Sequence, residues 1–254
     1  MELNEQNYVH DGERVDQLYS QNIKIIQSPE VFSFSLDAVL LADFVRPDQK
    51  LKTRVVDLCA GNGAVGLFLN EKIRGQITEI ELQPRLADMA KRSVALNQLA
   101  DRYQVLNMDI ADTFSQVPKD SADIVVCNPP YFTDQPASKK NPNQYLAIAR
   151  HELTTNLDTV IEIMSGLLKM NGHGYLVHRP DRLPEILSTL AAHRLAPKQI
   201  RFVYPKQGRN ANMVLIEAIK DGRKGGTKIL PPLIVSQDDD QYGPEVREML
   251  YGKR

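Results

Sequence analysis

Alternation between short apolar segments and longer amphipathic ones limits the folds open to this chain more than any other feature. The pattern predicts strands at residues 54–58, 76–81, 103–107, 122–127 and 175–178. It predicts helices at residues 36–45, 64–72, about 84–97, about 157–170 and 183–193. Strands separated by helices are typical of an α/β fold, in which a parallel sheet carries helices on both faces. Two further strands, at 199–204 and 212–219, lack a helix between them and predict an antiparallel hairpin at the edge of a mostly parallel, seven-stranded sheet.

The character of the sequence changes on both sides of this alternating region. Residues 32–219 form the predicted domain, which is long enough to bury a sizeable core. Residues 1–31 are an N-terminal extension, polar and irregular up to a short strand at 23–26. Residues 220–254 are polar and carry Gly-Gly and Pro-Pro pairs, which predicts a C-terminal tail that packs on the domain or is partly disordered.

The composition is typical of a soluble globular protein. Hydrophobic residues make up 42% of the chain, charged residues 25%, and the net charge is −1, so the total charge gives no support for nucleic-acid binding. Long apolar runs and targeting motifs are absent from the sequence, and we expect a cytoplasmic protein with no membrane contact. Cys59 and Cys127 each follow an apolar strand, and we expect two buried thiols instead of a disulfide or a metal site.

A glycine turn directly follows the predicted strand at 54–58, with the sequence Cys59-Ala60-Gly61-Asn62-Gly63. In an open parallel sheet, ligands bind beyond the carboxyl ends of the strands, which makes this turn a candidate ligand site. Together with Gly66 it matches G-x-G-x-x-G, the pattern that receives a pyrophosphate at a helix N-terminus. Asp57, however, precedes Gly61 by four residues, and its carboxylate would repel a pyrophosphate but attract an ammonium group.

Acidic residues also follow the next two strands. Glu81 ends the second strand, at the position where an acid accepts hydrogen bonds from ribose hydroxyls. Asp109 follows the third strand and is either an acceptor for the exocyclic amine of adenine or an exposed loop acid. Asp57, the glycine turn and Glu81 together predict a site for a nucleoside-containing cofactor with an ammonium group.

The loop Asn128-Pro129-Pro130-Tyr131 follows the fourth strand and is rigid, because each proline fixes its own φ and restricts the residue before it. The Asn128 side chain and the Pro129 backbone each offer a carbonyl oxygen. Two acceptors that face one amino group bind both of its hydrogens and leave the nitrogen lone pair free for attack. Tyr131 adds a flat face for stacking, and a base taken out of its helix needs this combination. The loop therefore predicts a site for a planar group that bears an amine.

At these two motifs the chain resembles the class I S-adenosylmethionine-dependent methyltransferases, over about residues 32–219. Residues 57–63 are similar to their cofactor motif, and residues 128–131 to the catalytic motif of the branch that methylates amino groups. Residues 32–42, 232–235 and 242–246 resemble more narrowly the tRNA (adenine-N6)-methyltransferases that modify the anticodon loop of a valine tRNA. The resemblance implies a Rossmann-like class I methyltransferase fold, S-adenosyl-L-methionine as cofactor, and the N6 amine of adenine in RNA, above all tRNA, as acceptor.

The resemblance also implies the residues of both sites. Those implied to border the cofactor are Phe34, Asp37, Asp57, Cys59, Ala60, Gly61, Asn62, Gly63, Glu81, Asp109, Ile110 and Asn128. Those implied to hold the target amine are Asn128, Pro129, Pro130 and Tyr131. Phe34 and Asp37 would close the cofactor pocket, although core packing and helix capping explain them equally well. The chemistry implied is an in-line attack by the amine, with no metal and no covalent intermediate.

Basic residues near the C-terminus bear on the RNA hypothesis. Residues 194–228 contain nine lysines and arginines: Arg194, Lys198, Arg201, Lys206, Arg209, Lys220, Arg223, Lys224 and Lys228. Lys139, Lys140 and Arg150 follow the loop at 128–131. If both groups border one cleft, they form a rim that binds phosphates; otherwise they are scattered surface charges.

Three other functions fit parts of the same pattern. A protein glutamine methyltransferase would use the loop at 128–131 for a planar amide, but such enzymes usually carry a helical domain before the cofactor motif, where this chain has about 50 residues. An RNA guanine-N2 methyltransferase uses a similar loop. A nucleotide-binding oxidoreductase or a non-catalytic binding module would leave Asp57 and this loop unexplained.

Overall fold

The computed structural model describes residues 5–31, 36–131, 155–237 and 241–253. Their strands are β1 (Arg14–Leu18), β2 (Ile23–Gln27), β3 (Arg54–Leu58), β4 (Gln76–Glu81), β5 (Tyr103–Asn107), β6 (Ala122–Cys127), β7 (Leu168–His178), β8 (Leu195–Lys206), β9 (Met213–Lys220), β10 (Lys228–Ile229) and β11 (Leu233–Ser236). Their α-helices are α1 (Leu36–Phe44), α2 (Ala64–Phe68), α3 (Pro84–Leu96), α4 (Leu157–Leu167), α5 (Leu183–Ala192) and α6 (Pro244–Tyr251). Short 3-10 helices lie at Glu5–Tyr8, Ile110–Ser115 and Pro180–Arg182.

Strands β3 to β11 form one sheet in the order β10-β8-β9-β7-β6-β3-β4-β5, with β11 also paired to β8. Neighbours from β5 to β7 are parallel, and β9 runs antiparallel between β7 and β8. The predicted α/β fold with a mostly parallel sheet and an antiparallel hairpin is therefore confirmed. The sheet also contains two strands that were not predicted, β10 and β11, which belong to the C-terminal segment and pair with β8.

The order of the central strands fixes where a ligand can bind. The chain runs outward from β3 to β4 and β5, and then returns to place β6 on the other side of β3. This reversal opens a crevice between the carboxyl ends of β3 and β6, the position at which open α/β sheets bind ligands. The glycine turn follows β3, and the loop at 128–131 follows β6, so both motifs open onto this crevice.

Two hydrophobic layers cover the sheet, because successive strand residues point to opposite faces. On one face, Val55 packs in a cluster with apolar residues of α1 and α2. On the other, Val56 and Leu58 pack with apolar residues of α4 and α5. Asp57 lies on the first face, where it is fully buried, and it is the exception among the four buried residues of β3.

Some predicted boundaries were wrong, and packing explains each difference. The helix predicted at 157–170 ends at Leu167, because residues 168–171 begin β7 with Leu168 buried and Met170 exposed. Gly174, which was predicted to break the helix, is part of this strand. Close packing accounts for a glycine there, because a Cβ would stand 2.6 Å from the Met164 sulfur of α4. The helix predicted at 64–72 ends as an α-helix at Phe68.

The N-terminal residues are more ordered than their polar sequence predicts. Strand β1, within the stretch expected to be irregular, forms an antiparallel hairpin with β2. The hairpin lies against α3, where the Ile26 amide donates to the buried Ser93 hydroxyl at 2.9 Å. Because these contacts are distant in sequence, local patterns could not indicate them.

The C-terminal segment is attached to both the sheet and a helix. Strand β11 pairs with β8, and α6 packs against α1. Val246 of α6 is fully buried in the core cluster that also contains Leu233 of β11. Arg201 of β8 forms a bidentate ion pair with Glu245, at 2.6 and 2.7 Å. No helix in the described ranges combines the length and the apolar character needed to cross a bilayer.

Replacement of a buried side chain in α6 tests whether this segment contributes to the fold. We expect Val246→Ala to lower the free energy of unfolding by about 1–3 kcal/mol, because it removes two buried methyl groups and leaves a cavity. The neighbouring exposed residue gives the control, and Arg247→Ala should change stability by less than about 0.5 kcal/mol. Chemical denaturation measures both variants, and equal stabilities would show that α6 is not part of the cooperative unit.

Candidate active site

Four strands end at nearly the same level around the crevice. Leu58 of β3 is paired with Ile80 of β4 on one side and with Cys127 of β6 on the other. Cys127 is in turn paired with Leu176 of β7. The polar residues that end or follow these strands are therefore brought to one edge: Asp57, Glu81, Asn128 and His178.

The glycine turn has a backbone that favours glycine at two positions. Gly61 and Gly63 have φ values of 60° and 83°, in the left-handed region. The Ala60 amide donates to the Ile80 carbonyl at 3.0 Å, which ties the turn to β4. A Cβ at Gly61 would meet no atom within 4 Å, so the backbone there faces open space that a ligand can approach closely.

Glu81 holds this turn in place. Its carboxylate accepts hydrogen bonds from the Gly61 amide and from the Gln83 amide, each at 2.8 Å. Burial raises the pKa of Glu81, and these amide hydrogen bonds oppose that rise. Each carboxylate oxygen has a second lone pair, so the side chain can support the turn and still accept a hydrogen bond from a ligand.

Asp57 supports the same turn through the first residues of α2. Its Oδ2 accepts a hydrogen bond from the Gly66 amide at 2.9 Å, while Oδ1 is buried with no hydrogen-bond partner among the described residues. Burial, together with the charge of Glu81, raises the pKa of Asp57 to about 8. The group that was expected to attract an ammonium ion is therefore fully enclosed, and it acts first on the backbone that follows the turn.

A second buried carboxyl, Glu79, lies beside Asp57 at the paired position of β4. Both of its oxygens are buried and without a partner in the described part of the chain. Burial, followed by the charge of Asp57, raises the pKa of Glu79 well above its usual range. A Cβ at Gly66 would stand 2.3 Å from Glu79 Oε1, which explains the third glycine of the pattern by close packing.

The remaining residues around the turn face in different directions. The buried Asn62 side chain donates to the Ile26 carbonyl at 3.0 Å, so its amide secures the N-terminal hairpin and only its backbone borders the turn. Cys59 is half-buried and has a positive φ of 57°. Cys127 is fully buried, and burial together with the neighbouring Cys59 raises its pKa well above the usual range, which keeps it a thiol.

Asp109 and Ile110 lie beyond the end of β5, next to the end of β4. The Asp109 Oδ1 accepts a hydrogen bond from the Ala111 amide at 2.9 Å and caps the short helix Ile110–Ser115. Ile110 is buried and packs in the core cluster on the face of α4 and α5. The Met108 amide donates to the Glu81 carbonyl at 3.0 Å, so this segment is held beside the glycine turn.

The loop at 128–131 forms the opposite wall of the crevice. Pro129 is buried, and Asn128, Pro130 and Tyr131 are half-buried. The Tyr131 hydroxyl lies 2.5 Å from Asn128 Oδ1 and 2.5 Å from Asp37 Oδ2 at the start of α1. Asp37 therefore contacts the loop at 128–131. Phe34, the other residue predicted to close the pocket, lies outside the described residues.

His178 was missed by the sequence analysis. It ends β7, is fully buried, and its ring lies 5.3 Å from the Tyr131 ring. Its Nδ1 accepts a hydrogen bond from the Arg179 amide at 2.8 Å, and burial with the nearby Arg182 charge lowers the pKa of His178 to about 4. The neutral ring therefore carries its proton on Nε2, a buried donor with no partner among the residues described. A polar residue at the end of a strand, as at Asp57 and Glu81, was the signal available in the sequence.

The basic residues of 194–228, all within the described ranges, do not form one rim. Arg194, Lys198 and Lys220 lie at the end of the β8–β9 hairpin opposite the crevice, and Arg194 is paired with Asp221 at 2.7 Å. Lys206 and Arg209 lie at the carboxyl end of β8, on the side of the crevice. With Leu36, next to Asp37, they line a cleft of about 710 Å³. Lys139, Lys140 and Arg150 fall outside the residues that the structure describes.

The buried, neighbouring carboxyl groups of Asp57 and Glu79 predict that the free energy of unfolding falls as pH rises. A carboxyl whose pKa is higher in the folded state stabilises the fold at low pH and loses this contribution as pH rises toward the folded value. For Asp57 that window lies between about pH 4 and pH 8. Glu79→Gln replaces a carboxyl that must stay protonated in the folded protein with a group that does not titrate. The free energy of unfolding of this variant, relative to wild type, should therefore rise with pH above about 4.5, by at most about 1.4 kcal/mol per pH unit.

Chemical denaturation of wild type and variant at pH 5, 6.5 and 8 measures this slope. The exposed Glu248→Gln is the matched control and should show no such trend. A difference between Glu79→Gln and wild type that stays constant over this range would mean that Glu79 is ionised in the folded protein.

Comparison with known proteins agrees with this geometry. The family model described as Methyltransferase small domain matches residues 22–166, more than half of the chain. A relative from Porphyromonas gingivalis (strain ATCC 33277), named tRNA1(Val) (adenine(37)-N6)-methyltransferase, is 27% identical over 215 residues, which cover 82% of this chain and 83% of that protein. A relative with the same name from Bacteroides fragilis (strain YCH46) is 26% identical and covers 84% of this chain and 88% of its own.

Solved structures resemble this fold over most of the chain. A predicted O-methyltransferase from Agrobacterium tumefaciens has a TM-score of 0.68 and 25% identity, and the match covers 85% of this chain and 96% of that one. Geranyl diphosphate C-methyltransferase from Streptomyces coelicolor A3(2), solved with S-adenosyl-L-homocysteine, has a TM-score of 0.55 and 15% identity, over 72% and 74% of the two chains. The chain belongs to the Methyltransferase small domain family and is an S-adenosylmethionine-dependent methyltransferase.

Proposed function

We propose that this protein methylates the N6 amine of adenine in RNA, and most specifically in a tRNA. The observation that carries the proposal is the position of the loop at 128–131, which faces the glycine turn across the crevice between β3 and β6. The curated relatives named tRNA1(Val) (adenine(37)-N6)-methyltransferase support tRNA as the substrate class. The same geometry would bring a methyl donor and an amine acceptor to one edge of the sheet.

The residues around the glycine turn fit S-adenosyl-L-methionine. The open space at Gly61 admits a ligand against the backbone, and Glu81 retains acceptor capacity for ribose hydroxyls. We assign the methionine portion to Asp57 and residues 59–63, the ribose to Glu81, and the adenine to Asp109 and Ile110. The enclosed Asp57 would act on the ammonium group through the backbone it supports. The cofactor, when bound, supplies an electrophilic methyl group.

The chain itself supplies alignment and electrostatics. The Asn128 and Pro129 carbonyl oxygens would accept the two hydrogens of the target amine and direct its lone pair toward the glycine turn. Tyr131 offers its ring to the flat base. The amine loses a proton after transfer, and water is a sufficient acceptor. None of these proposed steps calls for a metal.

We infer that His178 favours adenine over guanine. Its Nε2–H is a buried donor close to Tyr131, as described above. In adenine the amine lies between two acceptors, N1 and N7, whereas the amine of guanine lies between the N1–H donor and the N3 acceptor. A donor turned toward the amine site would therefore match adenine on either side, but guanine on one side only.

Nucleoside analysis of a treated RNA tests the proposal. The protein, incubated with S-adenosylmethionine and a transcript of tRNA1(Val), should form N6-methyladenosine, and a transcript with guanine at position 37 should not be methylated. Asn128→Ala should lower the rate by about 100-fold or more, because it removes an acceptor that acts on the reacting amine. The exposed Gln104→Ala should match wild type. Methyl transfer to guanine N2, or to a protein glutamine with no transfer to RNA, would overturn the proposal.

Salt dependence of RNA binding tests which basic residues contact phosphates. Arg209 lies by the crevice and Arg223 at the opposite end of the sheet, and both are exposed. We expect Arg209→Ala to reduce the slope of log K against log salt by about 0.7–0.9 for each lost phosphate contact. Arg223→Ala should leave the slope unchanged. Equal effects of the two variants would indicate a diffuse electrostatic surface instead of a binding cleft.

A further inference from the structure

The hydroxyl of Tyr131 lies between the side chains of Asp37 and Asn128 and cannot donate a hydrogen bond to both. With the Asn128 amide oriented so that Oδ1 faces it, the hydroxyl lies 2.5 Å from Asn128 Oδ1 and 2.5 Å from Asp37 Oδ2, distances of strong O–H···O hydrogen bonds. A hydrogen bond from an amide nitrogen in place of Oδ1 would be longer, at about 2.7–3.2 Å. A phenol has one hydrogen and can donate to one acceptor only. If both neighbours presented oxygen atoms to it, one of these short contacts would be a repulsion between lone pairs.

The charged neighbour takes the phenol hydrogen. A carboxylate can only accept, and hydrogen bonds to it are stronger than those to a neutral amide. Asp37 is buried at the first turn of α1, and its other oxygen already accepts the Ala38 amide at 3.1 Å. Burial and the Asp37 charge also raise the pKa of Tyr131 well above its usual range, so the phenol keeps its proton. The Tyr131 oxygen is then left as an acceptor toward Asn128.

This hydrogen count determines the orientation of the Asn128 amide. The oxygen and nitrogen of an amide have nearly the same size and shape, and the surrounding hydrogen bonds decide which of them faces a given neighbour. We propose that Asn128 donates from Nδ2 to Tyr131, that Tyr131 donates to Asp37, and that this relay directs the Asn128 carbonyl oxygen toward the target amine. Asp37 is thereby a positioning residue for the catalytic amide, in addition to any contact it makes with the cofactor.

The relay gives the enzyme a specific advantage. A free Asn side chain can turn its NH2 group toward the substrate, and that orientation places donor against donor and cannot bind an amine. A chain of two hydrogen bonds that ends on a carboxylate makes the productive orientation the stable one before substrate arrives. The inference rests on the proposed function for its chemistry, but it requires only that the acceptor be an amino group, whether of adenine, guanine or glutamine.

A double-mutant cycle on methyl transfer to the tRNA1(Val) transcript measures the relay. Tyr131→Phe keeps the ring but removes the hydroxyl, and Asp37→Ala removes the terminal acceptor. Each should lower kcat by about 10- to 100-fold, with KM for the transcript and Kd for S-adenosylhomocysteine changed less than threefold. The double variant should be no slower than the slower single variant. Asp37→Asn, which keeps an acceptor oxygen, should recover part of the loss, and Asp43→Ala at the other end of α1 should equal wild type.

Multiplication of the two single effects, or a loss of cofactor affinity that accounts for the Asp37→Ala defect, would overturn the relay and leave Asp37 as a residue that closes the cofactor pocket. A readout without turnover separates this result from failure of the proposed function. In protein labelled with 15N-asparagine, the side-chain signal that disappears in Asn128→Asp should show a downfield hydrogen, and Tyr131→Phe should shift it upfield. An unchanged Asn128 signal in Tyr131→Phe would overturn the relay even if the tRNA is methylated.

Discussion

Hydrogen bonds from backbone amides to two buried carboxyl groups are the interaction on which the glycine turn depends. Glu81 accepts the Gly61 amide, and Asp57 accepts the Gly66 amide, so one acid fixes the start of the turn and the other fixes the helix that follows. Neither glycine could be held in this way by an apolar residue, since the backbone would then be free to relax. The cost of burying these acids appears as raised pKa values, which are tolerable because each carboxylate gains backbone hydrogen bonds.

The topology turns this local arrangement into a two-sided site. Because β6 pairs with β3, the loop that directly follows β6 is held opposite the turn that directly follows β3. The prolines stiffen that loop, and its Tyr131 is fixed from the other side by Asp37 of α1. Helix α1, although it precedes the sheet, therefore supports the wall that the loop at 128–131 forms. The hairpin of β1 and β2 similarly secures the glycine turn through Asn62.

Sequence patterns predicted what depends on neighbours along the chain. The bounds of β3 to β6 matched, because buried strands are short apolar runs with clear ends, and the two motifs that follow β3 and β6 lie at one edge as predicted. Patterns could not show that Glu79 is enclosed beside Asp57, since pairing of β3 with β4 is a tertiary fact. They also could not show that the C-terminal tail extends the sheet, or that a twelve-residue strand separates basic residues close in sequence onto opposite ends of the protein.

A crystal structure with the nonreactive cofactor S-adenosylhomocysteine tests the central claim most directly, namely that one crevice faces a methyl donor with an amine acceptor. We predict the homocysteine portion against residues 61–63, the ribose hydroxyls on Glu81, and the sulfur turned toward Asn128 across a gap that a single amino group fills. A cofactor bound with its sulfur turned away from the loop at 128–131, or bound outside the crevice between β3 and β6, would contradict the account.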